Sequence, residues 1–384
     1  MFLLRLLLRN AFRHKLRTLL TMVGFVVAVA AFGLLRTVLD AWYAGVESSS
    51  SARLVVRSAT SLTVPLPLAY AERLRGVEGV TRVSWSNWFG GLYREREFFP
   101  QFGVDATSYL ALYPEFVLSP DELAAWQRDR KGAVVGRKLA DKYGWQLGDT
   151  IPLKSGIYPG DWAFTLRGIY EGAQPDTDTS TMLFHWAYLN ETIRAGRRSG
   201  GNFVGVYILG IDDPANAALI SARVDQTFAN SPAETKTETE QAFQLGFVSM
   251  SESILLALNA VSGIVIVIIL AVMANTMAMT ARERIAEYAT LKALGFRPRF
   301  LAALLIGEGL LIAGLGGLGG IAVTLPTVAA LAQSFGGLFP VFRASELTLV
   351  LQAAAAIAVG LVAAAWPAWM ASRVQVAAGL RNIA

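Results

Sequence analysis

The residues best suited to chemistry lie in one short charged segment, residues 282–295, which reads Arg-Glu-Arg-Ile-Ala-Glu-Tyr-Ala-Thr-Leu-Lys-Ala-Leu-Gly. Its side chains offer ion pairs and apolar contacts, and they include no cysteine and no histidine. On a helix, Arg284 and Glu287 are three residues apart and can pair, whereas Glu283 and Glu287 repel each other at a spacing of four. The chemistry predicted for this segment is therefore the binding of a partner.

Two apolar faces distinguish this segment from a one-sided amphipathic helix. One face carries Ile285, Tyr288 and Ala289, and the other carries Leu291 and Leu294, near Glu287. This pattern predicts a helix held between its own membrane domain and a second body, but spacing alone fits an ordinary positively charged cytoplasmic loop equally well. The candidate coupling residues are Arg282, Glu283, Arg284, Ile285, Glu287, Tyr288, Leu291, Lys292, Leu294 and Gly295.

Polar and small residues inside the flanking apolar stretches form a second group of candidates. Glu308 lies well inside an apolar stretch, where a carboxylate is costly and marks a candidate functional site. Its ordinary interpretation is a protonated side chain, or one paired with Asn275 or with an arginine near the inner interface. Gly316 and Gly320 form a small-xxx-small pair, which predicts close helix packing within the chain or across a dimer.

Catalytic and metal-binding motifs are absent from the sequence. Residues 132–138 come closest to a phosphate-binding loop but have the wrong spacing, and there is no H-E-x-x-H or G-x-S-x-G motif. Two histidines, His14 and His185, cannot form a histidine cluster, and Asp176 with Asp178 is best interpreted as part of a solvated loop. We predict no catalytic residue, no metal site and no cofactor bound by this chain.

The segments that must position these residues are apolar and long. The chain is 54% hydrophobic and only 16% charged, against about 25% charged residues in an average soluble domain. Four stretches are long enough to cross a bilayer, and we predict spans at 18–39, 253–280, 299–333 and 347–370. The first apolar stretch is longer than the core of a cleaved signal peptide.

Charge is distributed unevenly between the segments that join these spans. Residues 40–252 hold 20 basic and 25 acidic residues, whereas the remainder of the chain holds 14 and 4. Because basic loops stay in the cytoplasm, the N-terminus, residues 281–298 and the tail 371–384 are predicted inside. The domain 40–252 and the loop 334–346 are predicted outside. The basic excess lies beside the apolar spans, which argues for a membrane and against nucleic acid.

The predicted fold is a helical membrane domain of four spans, with both termini inside and a large α+β domain between the first two spans. A basic amphipathic helix is predicted at 1–17, along the inner leaflet. Within 40–252, a β-rich lobe is expected at about 131–195. Strands are predicted at 53–58, 80–85, 97–104, 163–169, 182–189 and 202–209, and helices at 68–75 and 214–229.

The sequence resembles the FtsX-like, MacB-type permeases of ABC transporters over essentially its whole length. The similarity is carried by residues 8–21, by 134–150, by the tail 366–381 and above all by 275–295, Asn-Thr-Met-Ala-Met-Thr-Ala-Arg-Glu-Arg-Ile-Ala-Glu-Tyr-Ala-Thr-Leu-Lys-Ala-Leu-Gly. The family usually has a proline where this chain has Val376, which affects the expected conformation of the tail.

The resemblance implies an energy source on another chain. It implies two copies of an ABC ATPase, which bind ATP and Mg, a second permease subunit that is identical or different, and a coupling helix at 282–294. It also implies a two-lobed outer domain and leaves room for a periplasmic adaptor or membrane-fusion protein. The expected function is export or extraction of a substrate from the bacterial inner membrane. The alternative is a transmitter that transports nothing and activates a cell-wall hydrolase or a sensor.

Overall fold

The computed structural model describes residues 7, 9, 11, 13–47, 49–94, 96–174, 177–196, 201–335 and 341–374. They form two units. The helical unit contains the described residues of 1–40, 251–334 and 342–384, and the α+β unit contains those of 41–250 and 335–341. Most of the predicted helix at 1–17, Asp176 and the tail beyond residue 374 lie outside the described residues.

Helices form both units, and their bounds follow in chain order. They are α1 (Lys15–Glu47), α2 (Tyr70–Arg75), α3 (Pro120–Arg128), α4 (Arg137–Tyr143), α5 (Trp186–Ala195), α6 (Ala217–Thr227), α7 (Glu240–Ser249), α8 (Glu252–Glu283), α9 (Ile285–Ala293), α10 (Pro298–Phe335) and α11 (Glu346–Ser372).

Strands occur in the α+β unit, and most of them are short. They are β1 (Arg53–Ser58), β2 (Leu66–Pro67), β3 (Val80–Trp88), β4 (Gly91–Tyr93), β5 (Glu97–Phe98), β6 (Gln101–Val104), β7 (Phe116–Val117), β8 (Gly132–Gly136), β9 (Thr150–Ser155), β10 (Asp161–Gly172), β11 (Met182–His185), β12 (Phe203–Val204), β13 (Val206–Ile211) and β14 (Thr235–Thr239).

Four helices of the described chain are long and apolar enough to cross a membrane. They cover Lys15–Val46, Glu252–Glu283, Pro298–Ala332 and Glu346–Ser372. Each contains one of the predicted spans and, at three of them, reaches beyond it at both ends, because the polar flanking residues continue the helical hydrogen bonding. The exception is α10, whose apolar stretch ends one residue before the predicted position 333. These helices agree with the predicted membrane domain.

Glycines let α10 approach its neighbours closely. A Cβ atom added to Gly316 would lie 2.9 Å from Phe25, and one added to Gly320 would lie 2.6 Å from Val29. Both contacts are on α1, so the small-xxx-small pair lies within this chain's own helix packing. Such contacts replace the hydrophobic driving force, which is missing between helices in lipid.

Polar side chains also join the long helices. Gln352 of α11 is fully buried, and its Nε2 donates to the carbonyl of Val29 on α1 at 2.9 Å and to Oγ1 of Thr324 on α10 at 2.8 Å. At the end of the unit far from α9 in sequence, Asp40 accepts hydrogen bonds from the hydroxyls of Ser345 and Thr348, each at 2.6 Å. These bonds tie the start of α11 to α1.

One mixed sheet runs through the α+β unit in the order β14-β1-β13-β3-β6-β11-β8-β10-β9-β4-β5. Strand β1 lies between β13 and β14 and pairs antiparallel with both, and five of its six residues are buried. Buried apolar side chains form separate clusters along this sheet, one around Tyr207 and Phe228 and another around Phe164 and Phe184.

Three predicted elements differ from the structure. The predicted strand 182–189 is β11 followed by helix α5, which buries Trp186, Leu189 and Asn190 at helical spacing. The predicted strand 97–104 is two strands, β5 and β6, separated by two residues that include a proline. The predicted helix 281–298 is shorter, because α8 continues to Glu283 and α9 covers only Ile285–Ala293.

Candidate functional site

Helix α9 lies between the two longest apolar helices of the chain, α8 and α10. Arg284 separates it from α8, since its ψ of 12° interrupts the helical path. Tyr288 and Ala289 of α9 are fully buried, and Gly295, with φ +91°, turns the chain after the helix. Only glycine adopts this left-handed conformation readily, so Gly295 allows α10 to begin three residues later.

Arg284 joins α9 to α10 through two carboxylates. Its Nη1 donates to Oε2 of Glu308 at 3.1 Å, and its Nε donates to Oε2 of Glu287 at 3.0 Å. The side chains of Arg284 and Glu308 are only 9% and 3% exposed. The carboxylate inside α10 therefore has a buried cationic partner, which is the arginine alternative considered from the sequence. Asn275, the other candidate partner, is exposed on α8.

Two basic residues at the start of α1 extend this network. Arg13 pairs with Glu287, which thus receives hydrogen bonds from two arginines. Arg17 forms a two-pronged contact with Glu283, with nitrogen-oxygen distances of 2.8 and 2.9 Å. Such forked arginine–carboxylate pairs fix orientation as well as charge. Sequence reasoning assigned Arg13 and Arg17 only to the positive-inside excess.

Lys292 connects α9 to α11. Its Nζ donates to the carbonyl of Ser372 at 2.7 Å and to that of Val374 at 2.8 Å. The carbonyls at the end of a helix have no partner within it and carry partial negative charge. Lys292 therefore caps the last turn of α11.

The electrostatic balance at α9 favours charged side chains. Burial alone would raise the pKa of Glu287, but the hydrogen bonds from Arg13 and Arg284 outweigh it and hold the pKa below its ordinary value. Burial raises the pKa of Tyr288 to about 12. Glu287 therefore stays ionised at neutral pH and Tyr288 stays neutral, so the ion pairs persist over the physiological range.

The opposite side of α9 is exposed, as the two-faced pattern predicts. Leu294 is 72% exposed and Phe296, just beyond the helix, is 43% exposed. Arg282 and Thr290 are also exposed. Ile285 and Leu291 are half-buried. The segment thus presents two large apolar side chains outwards while its ion pairs face its own unit.

A second buried ionic cluster, missed from the sequence, lies in the α+β unit where β1 begins and β14 ends. Arg53 donates from Nε to Oε2 of Glu240 at 2.7 Å and from Nη2 to Oε1 of Glu115 at 2.6 Å. The hydroxyl of Tyr113 donates to Oε1 of Glu240 at 2.9 Å. An arginine at the start of an otherwise apolar strand signals a buried partner, but the partners are 62 and 187 residues away.

Metal-binding chemistry finds no support in the described part of the chain. No group of three or more histidine, cysteine or acidic side chains there could hold a metal ion. His185 instead contacts the carbonyl of Trp126 through Nε2 at 2.7 Å, and burial lowers the pKa of its ring. It is a buried structural side chain.

Two family models match the chain. Residues 18–227 match the MacB-like periplasmic core domain, and residues 259–376 match the C-terminal region of FtsX-like permeases. No curated protein matches the sequence.

Two solved structures are similar over about half of the chain. One is the extracellular domain of the noncanonic ABC-type transporter YknZ from Gram-positive bacteria, at 13% identity and a TM-score of 0.34, covering 49% of this chain and 100% of that one. The other is a domain of a protein assigned as a permease from Porphyromonas gingivalis, at 13% identity and a TM-score of 0.33, covering 50% and 91%. These TM-scores are too low to establish a common fold.

Proposed function

The chain belongs to the FtsX-like and MacB-type permeases, and from that premise we propose that it is the membrane subunit of an ABC transporter. In this proposal it couples ATP hydrolysis by a separate ATPase to movement of its α+β unit, which drives export or extraction of a substrate. The ATPase binds ATP and Mg, since this sequence has no phosphate-binding loop. The permease itself is not an enzyme.

The observation that carries this proposal is the set of polar contacts that connects α9 to the other long helices. Arg284 reaches α10 through Glu308, Lys292 reaches the end of α11, and Glu287 reaches Arg13 at the start of α1. A displacement of α9 would act on these helices together. The exposed Leu294 and Phe296 supply the apolar contact that an ATPase would press against.

The buried cluster around Arg53 supports the outer half of the mechanism. It fixes the beginning of β1, which follows α1 in the chain, to the first residue of α7, which precedes α8. Both connections to the long helices thus meet at one ion pair that is nearly excluded from water. We propose that this cluster moves as one body and that the α+β unit responds as two lobes.

The charge distribution supports a location in the bacterial inner membrane with the α+β unit outside. The segments around α9 and the N-terminus are basic, whereas residues 40–252 carry a net charge of −5. Two ATPase copies and a second permease subunit would complete the transporter, and a periplasmic adaptor would receive the substrate. Activation of a cell-wall hydrolase remains the alternative use of the same movement.

The test is to replace Leu294 with aspartate and measure ATP hydrolysis by the ATPase that copurifies with the full chain from its own membrane. Because Leu294 is exposed, we expect thermal stability to change by less than about 0.5 kcal/mol while ATPase association or coupled hydrolysis falls at least tenfold. The matched control is Leu219→Asp, since Leu219 is 52% exposed on helix α6 of the other unit. Equal hydrolysis in the two variants would exclude α9 as the coupling element.

Cargo movement and hydrolase activation are separated by a second measurement on the same variants. Reconstituted permease with its ATPase would release substrate to an added adaptor if it is an exporter. It would instead stimulate peptidoglycan cleavage by an added hydrolase if it is a transmitter. Leu294→Asp should abolish whichever activity the wild-type complex has.

A further inference from the structure

Arg36 of α1 is a cation without a protein partner among the described residues. It forms no ion pair and no hydrogen bond there, and its Nε is buried without an acceptor. The residue as a whole is half-buried, so its terminal nitrogens are the part that reaches the surface. A guanidinium cannot be deprotonated in a protein, so its charge requires an anion from elsewhere.

Carboxylates of this chain do not supply that anion. Asp40, one helical turn further along α1, accepts hydrogen bonds from Ser345 and Thr348 instead of pairing with Arg36. Glu346 is exposed at the start of α11 and also forms no pair with it. The nearby residues outside the described ranges, 336–340, are Gly-Gly-Leu-Phe-Pro and contain no acid.

The position of Arg36 along α1 places it at the depth of lipid phosphates. Arg17 marks one interface through its pair with Glu283 at the end of α8. Nineteen residues separate the two arginines, which corresponds to about 28 Å of helix, close to the hydrocarbon thickness of about 30 Å. Asp40 and Ser345, where α11 begins, mark the same far end of the helical unit.

An apolar groove begins one turn from Arg36 on the same face of α1. The helices α1, α8 and α11 form it, and the lining on α1 ends at Phe32, four residues before Arg36. Ile266 of α8 and Ala355 of α11 form the other walls. A cation above an apolar groove between membrane helices has the chemistry of a phospholipid site, with the phosphate at one end and an acyl chain in the groove.

We propose that Arg36 binds the phosphodiester of a phospholipid whose acyl chain lies in this groove. The planar guanidinium, with Nε turned into the protein, presents its terminal nitrogens to the phosphate oxygens in the two-pronged geometry that arginine prefers. Lipid is favoured over free phosphate because the groove is apolar and opens between helices. This inference does not depend on coupling to an ATPase, so the two can fail separately.

The experiment titrates the purified full chain in a non-ionic detergent with dihexanoyl phosphatidylglycerol and counts bound lipid by native mass spectrometry. We expect Arg36→Gln to weaken binding about tenfold, since two charge-assisted hydrogen bonds are lost. Arg343→Gln is the matched control, because Arg343 is an exposed arginine at the same end of the unit, and its affinity should equal that of the wild type. Equal affinity for the wild type and Arg36→Gln would overturn the proposal.

Two further arms keep the result interpretable. Inorganic phosphate tests the other source of the anion, and saturation at the same concentration as the lipid would make the ligand free phosphate and the lipid proposal wrong. Arg36→Lys keeps the charge but loses the planar fork, so it is informative if the glutamine variant does not fold. We expect it to bind the lipid about threefold more weakly, and undiminished binding would contradict the two-pronged contact.

Discussion

Replacing Arg284 with glutamine is expected to destabilise the chain more than replacing Glu308, although the two form one ion pair. In Arg284→Gln, Glu308 stays 97% buried without its cation, and an uncompensated buried charge costs about 3–5 kcal/mol. In Glu308→Gln, Arg284 keeps Glu287 at 3.0 Å and can still donate to the new amide. The loss is then that of one charge-assisted hydrogen bond, about 1.5–3 kcal/mol.

The double variant completes the cycle. Arg284→Gln with Glu308→Gln leaves two neutral amides that can bond to each other, so no buried charge remains unpaired. We expect its cost to fall below the sum of the single costs by about 1–3 kcal/mol, the usual range for residues in direct contact. Glu346→Gln serves as the control, because Glu346 is exposed and should change stability by less than about 0.5 kcal/mol.

The assay is unfolding of the full chain in mixed micelles, followed by tryptophan fluorescence, with ATPase coupling measured where every variant is folded. We expect Glu308→Gln to reduce coupled hydrolysis more than its loss of stability explains, because the charge links α9 to α10. Additive costs in the double variant would refute the pairing. Unchanged hydrolysis in Glu308→Gln would show that the charge is not needed for transmission.

Two further predictions concern packing and pH. Gly320→Ala should destabilise the helical unit by more than about 1 kcal/mol, because its Cβ would lie 2.6 Å from Val29, whereas Gly314→Ala, which meets nothing within 4 Å, should stabilise by up to about 1 kcal/mol; thermal unfolding of both variants checks the contrast. His185, bonded to the carbonyl of Trp126, has its pKa lowered by burial, so the unfolded chain binds more protons below pH about 6.5. Its contribution is present above that pH and is lost as pH falls through the folded pKa, and His185→Gln should flatten this part of the stability–pH curve.

Local patterns sufficed for the elements whose stability is decided locally. The apolar spans follow from length and hydropathy, and β1 follows from its β-branched residues. Asp213 was predicted to cap the helix at 214–229, and its carboxylate does accept a hydrogen bond from the backbone of Ala215. There the chain begins with a 3₁₀ turn before α6, a difference that capping residues do not resolve.

Tertiary contacts decided the elements that the sequence did not predict. Residues 182–189 are apolar throughout much of their length, so alternation and helical spacing cannot be told apart over so short a stretch. The structure resolves the ambiguity because Met182–His185 pairs with two strands, β6 and β8, while the following residues bury one helical face.

Partners of charged residues were predictable only in kind. A buried carboxylate at Glu308 requires a cation, and the arginine-rich segment before α10 made an arginine a natural candidate, but the sequence could not single out Arg284. The cluster around Arg53 was missed altogether, because Glu115 and Glu240 approach it only when β1, β14 and the loop before β7 come together. The roles of the exposed α9 residues stay predictions.

The pairing of β1 with β14 has a consequence for how such a protein can diversify. The chain enters the α+β unit through one of these strands and leaves it through the other, and five residue pairs hold them side by side. A domain whose ends are adjacent behaves as an insertion, and insertions of this kind are readily exchanged. Evolution, or a protein engineer, can therefore replace the unit between α1 and α8 while the helices and their ionic contacts keep their connectivity.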